Sequence, residues 1–72
     1  MIITTNQDLY YIGEKENLSS DLVQVVSIRR DGEVIIPDRG DEIELMLDDL
    51  VEVQPKWSKF TTVLVEARDL SH

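Results

Sequence analysis

The sequence predicts an all-β fold, a single small barrel or strongly bent antiparallel sheet of about five to six strands with one short 3₁₀ turn, filling residues 1–72 as one domain. Three observations carry this. Short β-branched runs recur at 22–28, 34–36, 51–53 and 61–67, the composition that strands favour. Turn-forming clusters, Asp31-Gly32 and Pro37-Asp38-Arg39-Gly40-Asp41, separate the runs in the centre of the chain. Residues 42–47 alternate, with Ile43, Leu45 and Leu47 set against Glu42, Glu44 and Met46, the period of a half-buried strand.

Met1–Thr5 and the compact apolar piece Leu9–Ile12, ended by Gly13, are read as two short strands. Glu14 to Asp21 lacks a clear period, and Asn17, Ser19 or Ser20 can cap a helical turn there. The Leu22–Ile28 run leads through Arg29-Arg30 into Asp31-Gly32, a strong hairpin signal because the tight primed turn needs positive φ at both central positions. Val34-Ile35-Ile36 is the return strand, and the Pro37–Asp41 turn makes a second hairpin with the alternating strand that follows. Asp48-Asp49-Leu50 then forms a single tight or 3₁₀ turn before a short strand, Val51–Val53, that Pro55 ends. Thr61–Ala67 is the last strand.

A 72-residue chain without cysteine buries only about 60 % of its unfolded surface and has no disulfide to staple it. The lone histidine, His72, excludes a structural zinc site of the usual Cys/His type. No apolar stretch approaches the roughly 18 residues of a membrane span, and Met1–Thr5 lacks a basic region followed by an apolar core. A folded, cytoplasmic protein with no membrane contact and no cofactor is expected, in keeping with the missing cysteines.

The net charge of −8 is unevenly placed. Residues 31–52 hold nine carboxylates, Asp31, Glu33, Asp38, Asp41, Glu42, Glu44, Asp48, Asp49 and Glu52, against Arg39 alone. Such a concentration creates a local negative field if the fold keeps it on one side. It disfavours direct contact with DNA, RNA or an anionic membrane, which need Lys and Arg, and suits a basic protein partner. The plain alternative is a solvated face that guards a strand edge against aggregation.

Val25–Ile36 and Asp41–Val53 together are similar to the small five-stranded SH3-like barrels, particularly modules of the Tudor and KOW type, in the order hairpin, hairpin, acidic alternating strand, Leu47-Asp48-Asp49-Leu50 turn and short strand. The resemblance implies a barrel whose one-turn helix before the last strand is Leu47–Leu50. The four aromatics, Tyr10, Tyr11, Trp57 and Phe60, all lie outside the matching stretches, and only Arg29 and Arg30 are basic within them. What carries over is therefore the fold, not an aromatic cage for methylated side chains or a basic RNA-binding loop.

Catalysis is not expected. Ser19, Ser20 and the threonines have no internal histidine to activate them, and Asp48 and Asp49, adjacent in a turn, point apart. Asp38, Asp41 and Glu42 lack the ligand spacing of a calcium loop. Arg39-Gly40-Asp41 spells an integrin-type tripeptide, which a turn wanting Gly and Asp produces by chance. Trp57 and Phe60 close one end of the core or, if exposed, act as interface anchors with Lys56 and Lys59 on the rim; Met46 is a second outward apolar residue.

Two functions follow. The leading one is an inhibitor or regulator that occupies the basic groove of a nucleic-acid-handling protein. Its carboxylates, Glu33, Asp38, Asp41, Glu42, Glu44, Asp48, Asp49 and Glu52, would stand in for phosphates, in the manner of small acidic phage-encoded mimics. Side chains two apart on one strand face are spaced by about 6.6 to 6.8 Å, comparable with successive phosphates. The alternative is a constitutive adaptor docking through apolar strands, Trp57, Phe60 and the C-terminal tail. Open strand edges would also allow pairing into a homodimer.

Overall fold

A computed structural model describes residues 1–18 and 22–72. The candidate caps Ser19 and Ser20, and the side chain of Asn17, lie outside the described residues. Among the described residues eight strands form: β1 Ile2–Thr4, β2 Leu9–Tyr11, β3 Leu22–Arg30, β4 Glu33–Ile35, β5 Glu42–Glu44, β6 Leu50–Pro55, β7 Val63–Glu66 and β8 Leu70–Ser71. Single 3₁₀ turns lie at Glu16–Leu18 and Ala67–Asp69. All pairings are antiparallel; the main sheet runs β7-β6-β3-β2-β8 with β4 beside β3, and β1 pairs β5 separately. The all-β class and bent antiparallel sheet are as expected, and the barrel does not close.

β3 is the spine because its β-branched run is long enough to serve two neighbours on one edge. Its nine residues rise about 26 Å at roughly 3.3 Å each, nearly the 27 Å long dimension of the molecule. β6 pairs one edge, while β2 and then β4 share the other. A register shift between Val25 and Ser27 inserts an extra residue opposite β6, leaving Val26 exposed. The bulge changes the parity of the strand, so Val23, Val25 and Ile28 all face inward, opposite Pro55, Val53 and Val51. Each such buried aliphatic side chain stabilises the fold by about 1.5–3 kcal/mol.

Asp31 (φ 51) and Gly32 (φ 79) form the two-residue turn with positive φ at both positions that joins β3 to β4. The expected second hairpin does not form. β5 pairs with β1, not β4, in the register Ile2↔Glu44, Ile3↔Ile43 and Thr4↔Glu42. Pairing there places Ile3 and Leu45 in the core with Ile43 packed against it, which a partner as exposed as β4 could not do. The 37–41 loop is pinned to the N-terminal strand by Thr5, whose hydroxyl donates to Asp38 O (2.8 Å) and accepts from Gly40 N–H (2.7 Å).

After Glu44 the chain leaves the strand, so Leu47, expected inward, is exposed. Asp48 lies in a tight turn closed by Asp49 N–H to Met46 O. The one-turn helix that precedes the last strand is instead Ala67–Asp69. The C-terminal segment is part of the sheet: Val65, Ala67 and Leu70 are buried, and β8 pairs with β2. Leu18 enters the core from the other 3₁₀ turn. Gly13 is required where β2 ends, since a Cβ there would collide with the ring and hydroxyl of the buried Tyr11.

Candidate functional site

Because β6 runs back along β3, the chain acquires two unlike ends. One collects the β3–β4 turn, the end of β5 and the Met46–Asp49 turn around Arg30. The Arg30 Nε donates to Asp49 Oδ1 (2.9 Å) and its Nη2 to Asp49 Oδ2 (2.6 Å) and to the carbonyl of Glu44 (2.9 Å). Asp49 also accepts Met46 N–H (2.9 Å), and its own carbonyl accepts Ala67 N–H. Three segments are thus joined through one ion pair, and the Asp49 backbone ties in a fourth.

The Asp49 side chain is 3 % exposed. The Arg30 hydrogen bonds hold its carboxyl below the ordinary carboxylate range; burial opposes this, and the Met46 N–H adds to it. The Arg30 guanidinium is raised reciprocally. Asp49, expected on the partner-facing surface, is withdrawn from it because its charge is satisfied inside the fold. Glu52 is half-buried and similarly engaged, accepting from Thr62 Oγ1 (2.8 Å) and Ser27 Oγ (2.9 Å). Those two hydroxyls keep its carboxyl below the ordinary range.

The other expected carboxylates face solvent. Asp31, Glu44 and Asp48 surround the Arg30 end, with Glu33 on β4 next to the turn, and Asp38, Asp41 and Glu42 lie at the opposite end of β5. They fall into two exposed groups, together called the acidic ridge: one near Arg30, the other with the exposed Arg39 at the start of β5, whose Glu42 and Glu44 share one face. Among the described residues none of these seven joins an ion pair; the three pairs formed are Arg30–Asp49, Lys56–Asp8 and Arg68–Glu66. Asp41 accepts the backbone N–H of Asp38, so Arg39-Gly40-Asp41 is the body of a turn. Among the described residues no group of three or more His, Cys, Asp or Glu is placed to hold a metal ion. No helix among them is long and apolar enough to cross a membrane.

At the far end, Lys56 N–H donates to Leu22 O and Lys56 Nζ pairs with Asp8 Oδ2 (2.9 Å). The Asp8 carboxyl is held low by the Gln24 amide first and Lys56 second. Trp57 is 58 % exposed and Phe60 98 %, so neither closes the core. The Ser58 hydroxyl orders their loop, accepting Phe60 and Thr61 N–H.

Two features escaped the sequence. One is an open groove of about 680 Å³ whose walls include Ile12, Leu50 and Leu64, with Glu14, Glu66 and Asp69 among its polar residues. The other is the edge of β4, whose three residues are all exposed. No protein-family model matches the chain, and no curated protein or solved structure matches it either.

Proposed function

We propose that this chain is a non-enzymatic cytoplasmic interaction module, an inhibitor or regulator that presents its acidic ridge to the basic groove of a nucleic-acid-handling protein. The observation that carries this is the division of labour at the Arg30 end. The arginine is engaged by a buried carboxylate, while Asp31, Glu33, Glu44 and Asp48 face solvent and, among the described residues, form no ion pair. Charges left unneutralised along one surface set up a field that a Lys/Arg-lined groove would meet favourably. Glu42 and Glu44, on the same face of β5, extend it at roughly phosphate spacing.

We also infer that the main sheet is an opened relative of the SH3-like barrel. Support comes from the strand order β7-β6-β3-β2-β8 and from the single 3₁₀ turn that carries the chain from β7 into β8. The observation favouring an adaptor is the nearly complete exposure of Phe60. That reading narrows to the 56–62 loop, since residues 63–71 are woven into the sheet.

The test is affinity capture on the immobilised protein, eluted in a salt gradient. A basic nucleic-acid-binding protein that elutes early and is displaced by added DNA or RNA is the expected result. A partner held through high salt and indifferent to nucleic acid would make the adaptor reading correct.

A further inference from the structure

We propose that the free edge of β4 receives an extended, basic segment of the partner protein as an added β-strand. This rests on the acidic ridge being the partner site and specifies how that site is engaged. A two-residue turn makes its flanking residues, Arg30 and Glu33, a hydrogen-bonded pair, and the pattern then alternates. Arg29↔Val34 is the next pair, so the N–H and C=O of Val34 point away from β3. Among the described strands β4 pairs with β3 alone.

The side chains agree with an open edge. Val34, Ile35 and Ile36 are 58 %, 36 % and 75 % exposed, and three consecutive exposed apolar residues are unusual on a surface with no partner. Ile35 stands opposite Ile28, at the end of an inward row that runs through Val51 to Val65. A guest strand with an apolar residue beside Ile35 would extend that row. The edge is short and carries Glu33 but no lysine, so the charge on it repels an acidic strand and not a basic one.

Charge names the occupant. Glu33 lies on the strand, Asp31 at its tip, and Glu44 and Asp48 across Arg30. Arg29 neighbours Val34 on the outer face, so the guest's basic residues belong opposite Glu33 and beyond the turn. A second copy of this chain, with its own net charge of −8, would bring two acidic ends together, which disfavours self-pairing. Pairing through backbone groups with side-chain selection is a general mode of peptide recognition.

The experiment uses the full chain and a synthetic heptapeptide with Val in one half, to lie beside Val34–Ile36, and Lys/Arg in the other, to lie opposite Glu33 and beyond the turn, together with the same peptide N-methylated at alternate residues. The Val34 amide is expected to gain at least about tenfold protection from hydrogen exchange on adding the plain peptide. Val34→Pro should weaken binding at least about tenfold while remaining folded, because that N–H serves no ladder bond. N-methylation should do the same with the protein untouched. Equal binding of both peptides, with Val34 unprotected but affinity lost in the Glu42→Lys/Glu44→Lys/Asp48→Lys variant, overturns strand addition and leaves the ridge reading standing. No binding, or binding indifferent to that charge reversal, overturns the ridge reading and this one together. Protection of Val34 that rises with protein concentration alone assigns the edge to a second copy and overturns the basic-partner assignment.

Discussion

At the Arg30 end of the β3–β6 ladder, Asp49, by its carboxylate and its backbone, and the Arg30 guanidinium hold four segments together, whereas at the Pro55 end the chain closes over apolar residues and an exposed lysine–aspartate pair. Asp49 is enclosed and bound by five hydrogen bonds counting its backbone N–H and carbonyl. Lys56 and Asp8 meet at 2.9 Å with side chains 63 % and 34 % exposed. The same chemical pairing therefore has opposite weight at the two ends: one is structural, the other is largely screened by water. The difference lies in enclosure: the Asp49 side chain is buried, whereas both partners of the far pair reach solvent.

The largest test of that contrast is Asp49→Ala, expected to cost about 3 kcal/mol by stranding Arg30 and freeing the Met46 turn, measured by urea denaturation. Such a loss lowers Tm by more than about 10 °C in a chain of this length. Acid should act on the same pair. The Asp49 and Glu52 carboxyls are depressed in the fold, so their stabilisation is complete above about pH 5. It is lost as pH falls through the ordinary carboxylate value near 4 and then through the lowered native ones. Asp49→Asn should flatten the acid limb of stability against pH, whereas Lys59→Ala should leave it unchanged.

Gly32→Ala should cost about 1 kcal/mol, since φ 79 suits glycine and a Cβ there meets nothing within 4 Å. Lys56→Ala at the far end should cost no more than about 0.5 kcal/mol. Phe60→Ala should stay within about 0.5 kcal/mol of the parent in either direction, because that ring is almost wholly in solvent. A loss of about 2 kcal/mol at Lys56 or Phe60, well above what an exposed ion pair or surface ring contributes, would erase the difference between the ends.

What was legible in the sequence follows the range of the signal. Asp31-Gly32 declares its turn locally, and both positive φ values are present. The alternation of Ile43 and Leu45 correctly marks an inward face, but alternation does not name the strand opposite, and Ile3 rather than β4 supplies it. Asp48 and Asp49 are indistinguishable by type; only Arg30, nineteen positions away in sequence, decides which is buried. The Leu22–Ile28 run concealed a bulge because an unbroken apolar stretch carries no parity. Val34-Ile35-Ile36 was readable as a strand, yet its exposure depends on the absence of a neighbour, which only the assembled sheet reveals.

The central claim, that the acidic end is the working surface, is met most directly by capture on three immobilised forms side by side: the parent, Glu42→Lys/Glu44→Lys/Asp48→Lys, and Trp57→Ala/Phe60→Ala. The account predicts that a salt-eluted basic nucleic-acid-binding protein bound by the parent is retained by the aromatic variant and lost from the charge-reversed one. Retention by the charge-reversed form and loss from the aromatic one would contradict it, and would place the working surface on the 56–62 loop.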